Sequence, residues 1–244
     1  MRWSKVAQGL AFWRRQRASA WGALPDRQEI LLAALSRQQT GGVRVVGFHR
    51  LHPADGLVQP DAPGPALEQA FEQALRRLGE PLQRPGRILA LALDDSRYRQ
   101  GRLNLPSDLK PAQLAAEVML EAAGLWGVPA SQVSFDFGQP QAGSDGRMVI
   151  PWASCLRQEL LHWQTHVRNA GWQLPAVETE AQALERAALC WLGDDAQRWV
   201  EAPQDWRFAT AAQRARTDLD WQRLSGWPLR KPLAACGAAL GALL

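Results

Sequence analysis

Six consecutive apolar residues, Ile88–Leu93 (ILALAL), constrain this chain more than any other stretch. A strand of that kind has no polar face to offer to water. Both its faces must therefore be covered, which points to a sheet layered with helices rather than a half-solvated meander. The flanking sequence supplies covering helices. From Pro65 onward, Leu67, Ala70, Phe71, Ala74, Leu75 and Leu78 fall on one helical face, and Glu72 can pair with Arg76 four residues on. Later, Leu156, Leu160, Trp163, Val167 and Ala170 form a second stripe that ends at Gly171.

The other elements are read in the same way. Glu29–Ser36 is an apolar run of strand length, Gln39–Gly42 is turn chemistry, and Val43–Leu51 follows with β-branched residues, so a hairpin is expected. Pro53–Pro65 reads as a proline-rich loop. After Asp94-Asp95-Ser96, Tyr98–Leu105 is a strand stopped by Leu105-Pro106-Ser107-Asp108. Pro111 opens a helix whose apolar face carries Leu114, Val118, Met119, Ala122 and Leu125. Val133, Phe135 and Phe137 alternate with polar residues, which predicts a strand with one wet face, and Gly143–Gly146 turns the chain into Met148–Trp152 as a second hairpin. Leu174–Glu178 is a short strand and Ala181–Leu192 a helix. Beyond Gly193 the pattern weakens into a turn-rich stretch to Arg207, a polar helix over Ala211–Trp221 and an apolar helix over Leu233–Leu243.

Bulk properties narrow the function. A chain of 244 residues with 46% hydrophobic composition can bury a core and divide it between two subdomains. Twenty-eight basic against twenty-four acidic residues give +4, too little to imply direct nucleic-acid binding. Three separated cysteines without a CxxC pair fit a reducing compartment. No run of eighteen apolar residues occurs, and Phe12-Trp13-Arg14-Arg15 interrupts any signal-peptide core, so a cytoplasmic location is expected. Charge is uneven, because residues 1–20 carry Arg2, Lys5, Arg14, Arg15 and Arg17 and no acid. Two readings of this arm stand: it is solvated, or Arg14, Arg15 and Arg17 lie on an anionic lipid surface, at about 1 kcal/mol per cation, with Trp3, Leu10, Phe12 and Trp13 as apolar anchors.

Candidate chemistry is sparse. Placed on one helix, Cys155, Glu159, His162 and His166 share a flank and are all ligand types, but no HExxH order accompanies them. A solvated polar flank is the expected reading, with no metal. His49 and His52 sit at a strand end and suit a loop. Asp94-Asp95-Ser96 ends a buried strand without a glycine-rich loop beside it and reads as a turn cap, and Ser154-Cys155 lacks a nucleophile-elbow motif.

Three phrases in order carry a family resemblance: LPSDLKPAQLAAEVMLEA from Leu105, VSFDF from Val133, and RQELLHWQTHVRNAGWQLPAVETEAQALERA from Arg157 to Ala187. They resemble the PilM family of type IV pilus assembly proteins, including its short DNA-uptake relatives. Weaker similarity appears at Ile30–Leu35, Ile88–Pro106 and Leu233–Leu243. The resemblance implies an α/β, actin-like (ribonuclease H-like) fold, degenerate and truncated. It would comprise a basic N-terminal arm at 1–22, the first part of the core at 23–97, an inserted small α+β subdomain at 98–171, and the second part of the core, with a reduced second lobe, at 172–244.

The resemblance also implies a role: a non-catalytic cytoplasmic scaffold, peripheral at the inner membrane, in a type IV pilus or competence platform. Its partners would be the N-terminal tail of a PilN-like bitopic membrane protein and other platform proteins. In the family that tail docks between the main and inserted subdomains, which here implies a junction near Arg102–Leu109 and contacts from Leu103, Leu105, Pro106 and Phe135. No cofactor is expected, ATP included. Where nucleotide-binding relatives open with an Asp-Ile-Gly turn, Leu24-Pro25-Asp26-Arg27-Gln28 has no glycine, and its proline lacks an amide donor. No second phosphate turn lies between Gly193 and Pro232, and no GxxxxGK[ST] or GxGxxG occurs. Two alternatives stand beside this reading: a drifted actin-like ATPase, and a type II secretion platform component, whose chains normally continue into a membrane helix.

Overall fold

A computed structural model describes residues 19–26, 29–37, 43–51, 65–82, 87–143, 146–192 and 230–243. The expected α/β architecture is present. Strands β1 (Ser19–Pro25), β2 (Ile30–Arg37) and β3 (Val43–Leu51) form an antiparallel meander. Helix α1 (Pro65–Gly79) then leads to β4 (Ile88–Leu93), which lies parallel to β1. Farther on, α3 (Arg157–Asn169) precedes β9 (Gln173–Thr179), which lies parallel to β4, followed by α4 (Glu180–Leu192) and α5 (Arg230–Leu243). The order across the sheet is β3-β2-β1-β4-β9.

The ILALAL strand explains the layering. Ile88, Ala90 and Ala92 face α4 and α5, whereas Leu89, Leu91 and Leu93 face α1 and α3. Strand alternation thus sends both alanines to one side and all three leucines to the other. The leucine side is filled by aromatic rings: Phe71 of α1 meets Trp163 of α3 edge to face, with centroids 5.5 Å apart, and the Trp172 indole donates to the Leu75 carbonyl. On the alanine side α5 approaches the sheet at backbone distance. A Cβ on Gly22 would lie 1.9 Å from the Ala235 carbonyl oxygen, and one on Gly237 would lie 1.7 Å from that of Ala183. Glycine is required at both places because no side chain fits between the elements.

β1 is a correction to the sequence reading. Ser19–Gly22, assigned to the basic arm, belong to a central strand buried on both sides. Arg14, Arg15 and Arg17, with the rest of the arm, lie outside the described residues, as do the turn-rich stretch after Gly193 and the expected helix at Ala211–Trp221.

A second, smaller sheet is inserted between β4 and α3. It comprises β5 (Arg99–Pro106), β6 (Val133–Phe137), β7 (Gln141–Ala142) and β8 (Arg147–Leu156), in the order β5-β8-β6 with β7 beside β8. Helix α2 (Pro111–Trp126) covers one face with Leu114, Val118 and Ala122. Gln113 accepts from the Lys110 backbone N–H at 2.9 Å to start the helix, and Gly127 at φ 64° ends it. β6 differs from the expected wet-faced strand, since Ser134 and Asp136 are half-buried.

The packing boundary also falls short of Gly171. Strand β8 runs to Leu156 and passes from the small core, which holds Met148, Ile150 and Trp152, into the main core at Cys155. Helix α3 then buries Trp163 and Val167 in the main core, because its stripe has the leucine face of the main sheet to fill.

Candidate partner-binding site

Two places warrant consideration: the carboxyl edge of the main sheet and the open edge of the small one. At the first, where β1 ends and β2 begins, the Asp26 N–H donates to the Glu29 carbonyl at 2.8 Å. Asp26 and Glu29 both pair with Lys231, the second at 3.0 Å, and Arg50 reaches Glu29 at 2.5 Å. Burial opposes charge on Lys231, yet hydrogen bonds to Asp26 and Glu29 leave its pKa raised. Beside it, Arg230 bridges Asp95 at 2.8 Å and Glu180 at 2.7 Å, and the Tyr98 hydroxyl donates to Asp95 at 2.5 Å. Burial raises the pKa of Glu180 against the opposing pull of Arg230. The first two residues of α5 therefore neutralise the acids that converge at this edge. Asp94 caps its own turn, as expected, accepting from the Ser96 N–H at 2.8 Å.

The four ligand-type residues expected on one helical flank are divided. Cys155 and Ser154 belong to β8, because that strand continues to Leu156 before the helix starts. The Cys155 thiol is pushed up to about 12, first by burial and then by Glu159. Glu159 pairs with Arg97 and accepts from the Trp163 indole at 2.6 Å. His162 and His166 bond across to α1, at 3.2 Å to Glu68 and 3.1 Å to Glu72. The pKa of Glu72 is lowered chiefly by its hydrogen bond from Arg76. Among the described residues no group of three or more His, Cys, Asp or Glu is placed to hold a metal ion. His49 lies within β3, stacked on Trp21, and burial lowers its pKa.

The small sheet is different. β5 ends its strand order and pairs only with β8 among the described residues. Its side chains alternate: Gly101, Leu103 and Leu105 are half-buried, and Arg102, Asn104 and Pro106 are exposed. Gly101 lets β5 lie close to the Trp152 indole, 3.0 Å from where a Cβ would be. The carboxyl end of α2 is held over the sheet by Trp126, whose indole donates to Ser154 Oγ at 3.0 Å and carries the Arg99 guanidinium at 4.4 Å.

Of the expected contact residues, Leu103 and Leu105 share the α2-facing side of β5, and Pro106 is exposed at its end. Phe135 packs against the same small core but from another strand. It sits on β6, across β8, opposite Ser154, whereas Leu103 is opposite Ile150. Leu103 instead joins Glu117, Leu120, Glu121, Gly124 and Leu125 of α2 around a shallow groove of about 320 Å³. Leu125, expected in the buried stripe, is 54% exposed and Leu120 60%. The sequence reading missed Glu117, Leu120, Glu121 and Gly124. Their signal was a second stripe at three- and four-residue spacing with a glycine inside it.

Together these features define a three-layer α/β core with a mixed five-stranded sheet, carrying a satellite sheet with one covered face and an unpaired β5 edge among the described residues. No family model and no curated protein matches the chain. Among solved structures, a chain of the PilM–PilN type IV pilus biogenesis complex is similar over 72% of this chain, at 18% identity and a TM-score of 0.50. The match covers 50% of that chain, so this protein spans about half its length. The cytoplasmic domain of EpsL, an inner-membrane component of the Vibrio cholerae type II secretion system, aligns with 68% of this chain and 59% of its own, at 12% identity and a TM-score of 0.48. The likeness to the PilM–PilN chain is one of fold. Among the described residues no helix is long and apolar enough to cross a membrane.

Proposed function

We propose that this chain is a non-catalytic scaffold with a degenerate actin-like core, serving a type IV pilus assembly platform. It works on the cytoplasmic side of the inner membrane and binds the short cytoplasmic tail of a PilN-like membrane protein. The observation that carries this reading is the shared fold with a chain of the PilM–PilN complex over 72% of the sequence. Two features of the molecule support it. Lys231 and Arg230 occupy the acids at the carboxyl edge of the main sheet, where an α/β fold ordinarily places its ligand chemistry. Accessible apolar side chains, Leu120 and Leu125, line a groove beside the β5 strand, a surface suited to protein contact.

The test is capture of synthetic N-terminal tails from bitopic inner-membrane proteins by the full chain, run beside thermal melts with and without ATP and magnesium. At least one tail is expected to be retained, and the nucleotide to leave the melting temperature unchanged. A chain that retains no tail is not this scaffold. A clear nucleotide-dependent rise in melting temperature would favour an actin-like ATPase.

A further inference from the structure

The flank of α2 that overhangs β5 combines features that the fold itself does not use. Gly124 is in the interior of a helix, where glycine is unfavourable. Yet a Cβ there would meet nothing within 4 Å, in contrast to Gly22 and Gly237, where packing forbids one. The open space lies beside two exposed leucines, Leu120 and Leu125, and half-buried Leu103. Glu117 and Glu121 line the same groove, and neither has an ion-pair partner among the described residues. Beneath this flank runs a strand edge unpaired among the described residues.

We propose that this groove receives an extended segment of a partner protein, added as a further strand to β5, with alternating apolar side chains flanked by lysine or arginine. A strand paired with β5 would lie about 4.8 Å from it, below the overhanging helix. Side chains on one face of such a segment recur every second residue. They enter the space between Leu103, Leu120 and Leu125, and one crosses the notch left by Gly124. The two glutamates select cations on the segment and reject an acidic one. The inference rests on the scaffold reading only in taking the occupant to be a protein.

The experiment measures fluorescence anisotropy of two labelled peptides on the full chain, each alternating valine with threonine, one flanked at both ends by lysine and the other by glutamate. The lysine peptide is expected to bind at least about tenfold more tightly. Gly124→Gln fills the notch without touching the core. It should keep or slightly raise the wild-type melting temperature and weaken the lysine peptide about tenfold or more, while Glu117→Lys combined with Glu121→Lys should reverse the preference. Equal binding of the two peptides, binding of neither, or indifference to Gly124→Gln overturns the proposal. So does a wild-type dimer that Gly124→Gln dissociates, because the occupant would then be a second copy. Native tails separate the two readings. If they are retained equally by wild type and Gly124→Gln, the groove fails and the scaffold stands. If only the lysine peptide binds, the scaffold fails and the groove stands.

Discussion

The two sheets of this molecule are built from similar residues but finished differently. The main sheet is covered on both faces, its Gly22 sits against the α5 backbone, and its buried Glu178 is held by both terminal nitrogens of Arg186 at 2.6 and 2.5 Å. The small sheet has, among the described residues, one helix on one face, half-buried β5 and β6, and in that helix a glycine, Gly124, facing open space. Identical residue types therefore carry opposite meanings. A glycine with no room around it records internal packing, whereas one with room to spare needs a reason from outside the fold.

The largest expected effect breaks the main side of this comparison. Gly22→Val would push α5 off the sheet, exposing Leu233, Leu240 and Leu243 at about 1.5–3 kcal/mol each. Circular-dichroism melts should show no cooperative transition, and a wild-type melt would mean that α5 does not lie on Gly22. Next is Arg186→Met, which leaves the Glu178 carboxylate buried without its cation and should lower stability by about 3–5 kcal/mol in urea titrations. A loss under about 1 kcal/mol would place that pair in solvent rather than in the core. The smallest effect sharpens the other side. Gly124→Ala should stabilise the free protein by about 0.5–1 kcal/mol, since the helix gains propensity and nothing is displaced. Destabilisation there would show that the notch is filled from within.

Much of the main sheet was legible from apolar patterning. Ile88–Leu93, the α1 stripe and the stop at Leu105-Pro106 all fall where the sequence puts them. β1 was not, because Ser-Ala-Trp-Gly-Ala-Leu-Pro carries no β-branched residue and follows a cationic stretch. Its small residues are there to admit α5, a demand set by tertiary packing and invisible in propensity. The end of β8 was missed for a related reason: Ser154 and Cys155 resemble a helix start, yet they extend a ladder on which β5 and β6 both depend. At the candidate site, Leu103 and Leu105 came from the family resemblance, and the structure places both on one side of β5. Phe135 shares their pattern but not their strand edge, and strand order is not written in alternation. The second stripe on α2 was hidden because an exposed leucine and a buried one look alike in a helical repeat.

The close seating of α5 has a consequence for how the protein is made. Arg37 donates to the Leu243 carbonyl across 206 residues, and Lys231 reaches Asp26 across 205. A growing polypeptide would thus leave the ribosome with its central strands already made but one oily face bare until the closing helix emerges. Contacts so remote along the chain form slowly, and for that interval the nascent protein is exposed to wrong partners and dependent on chaperones.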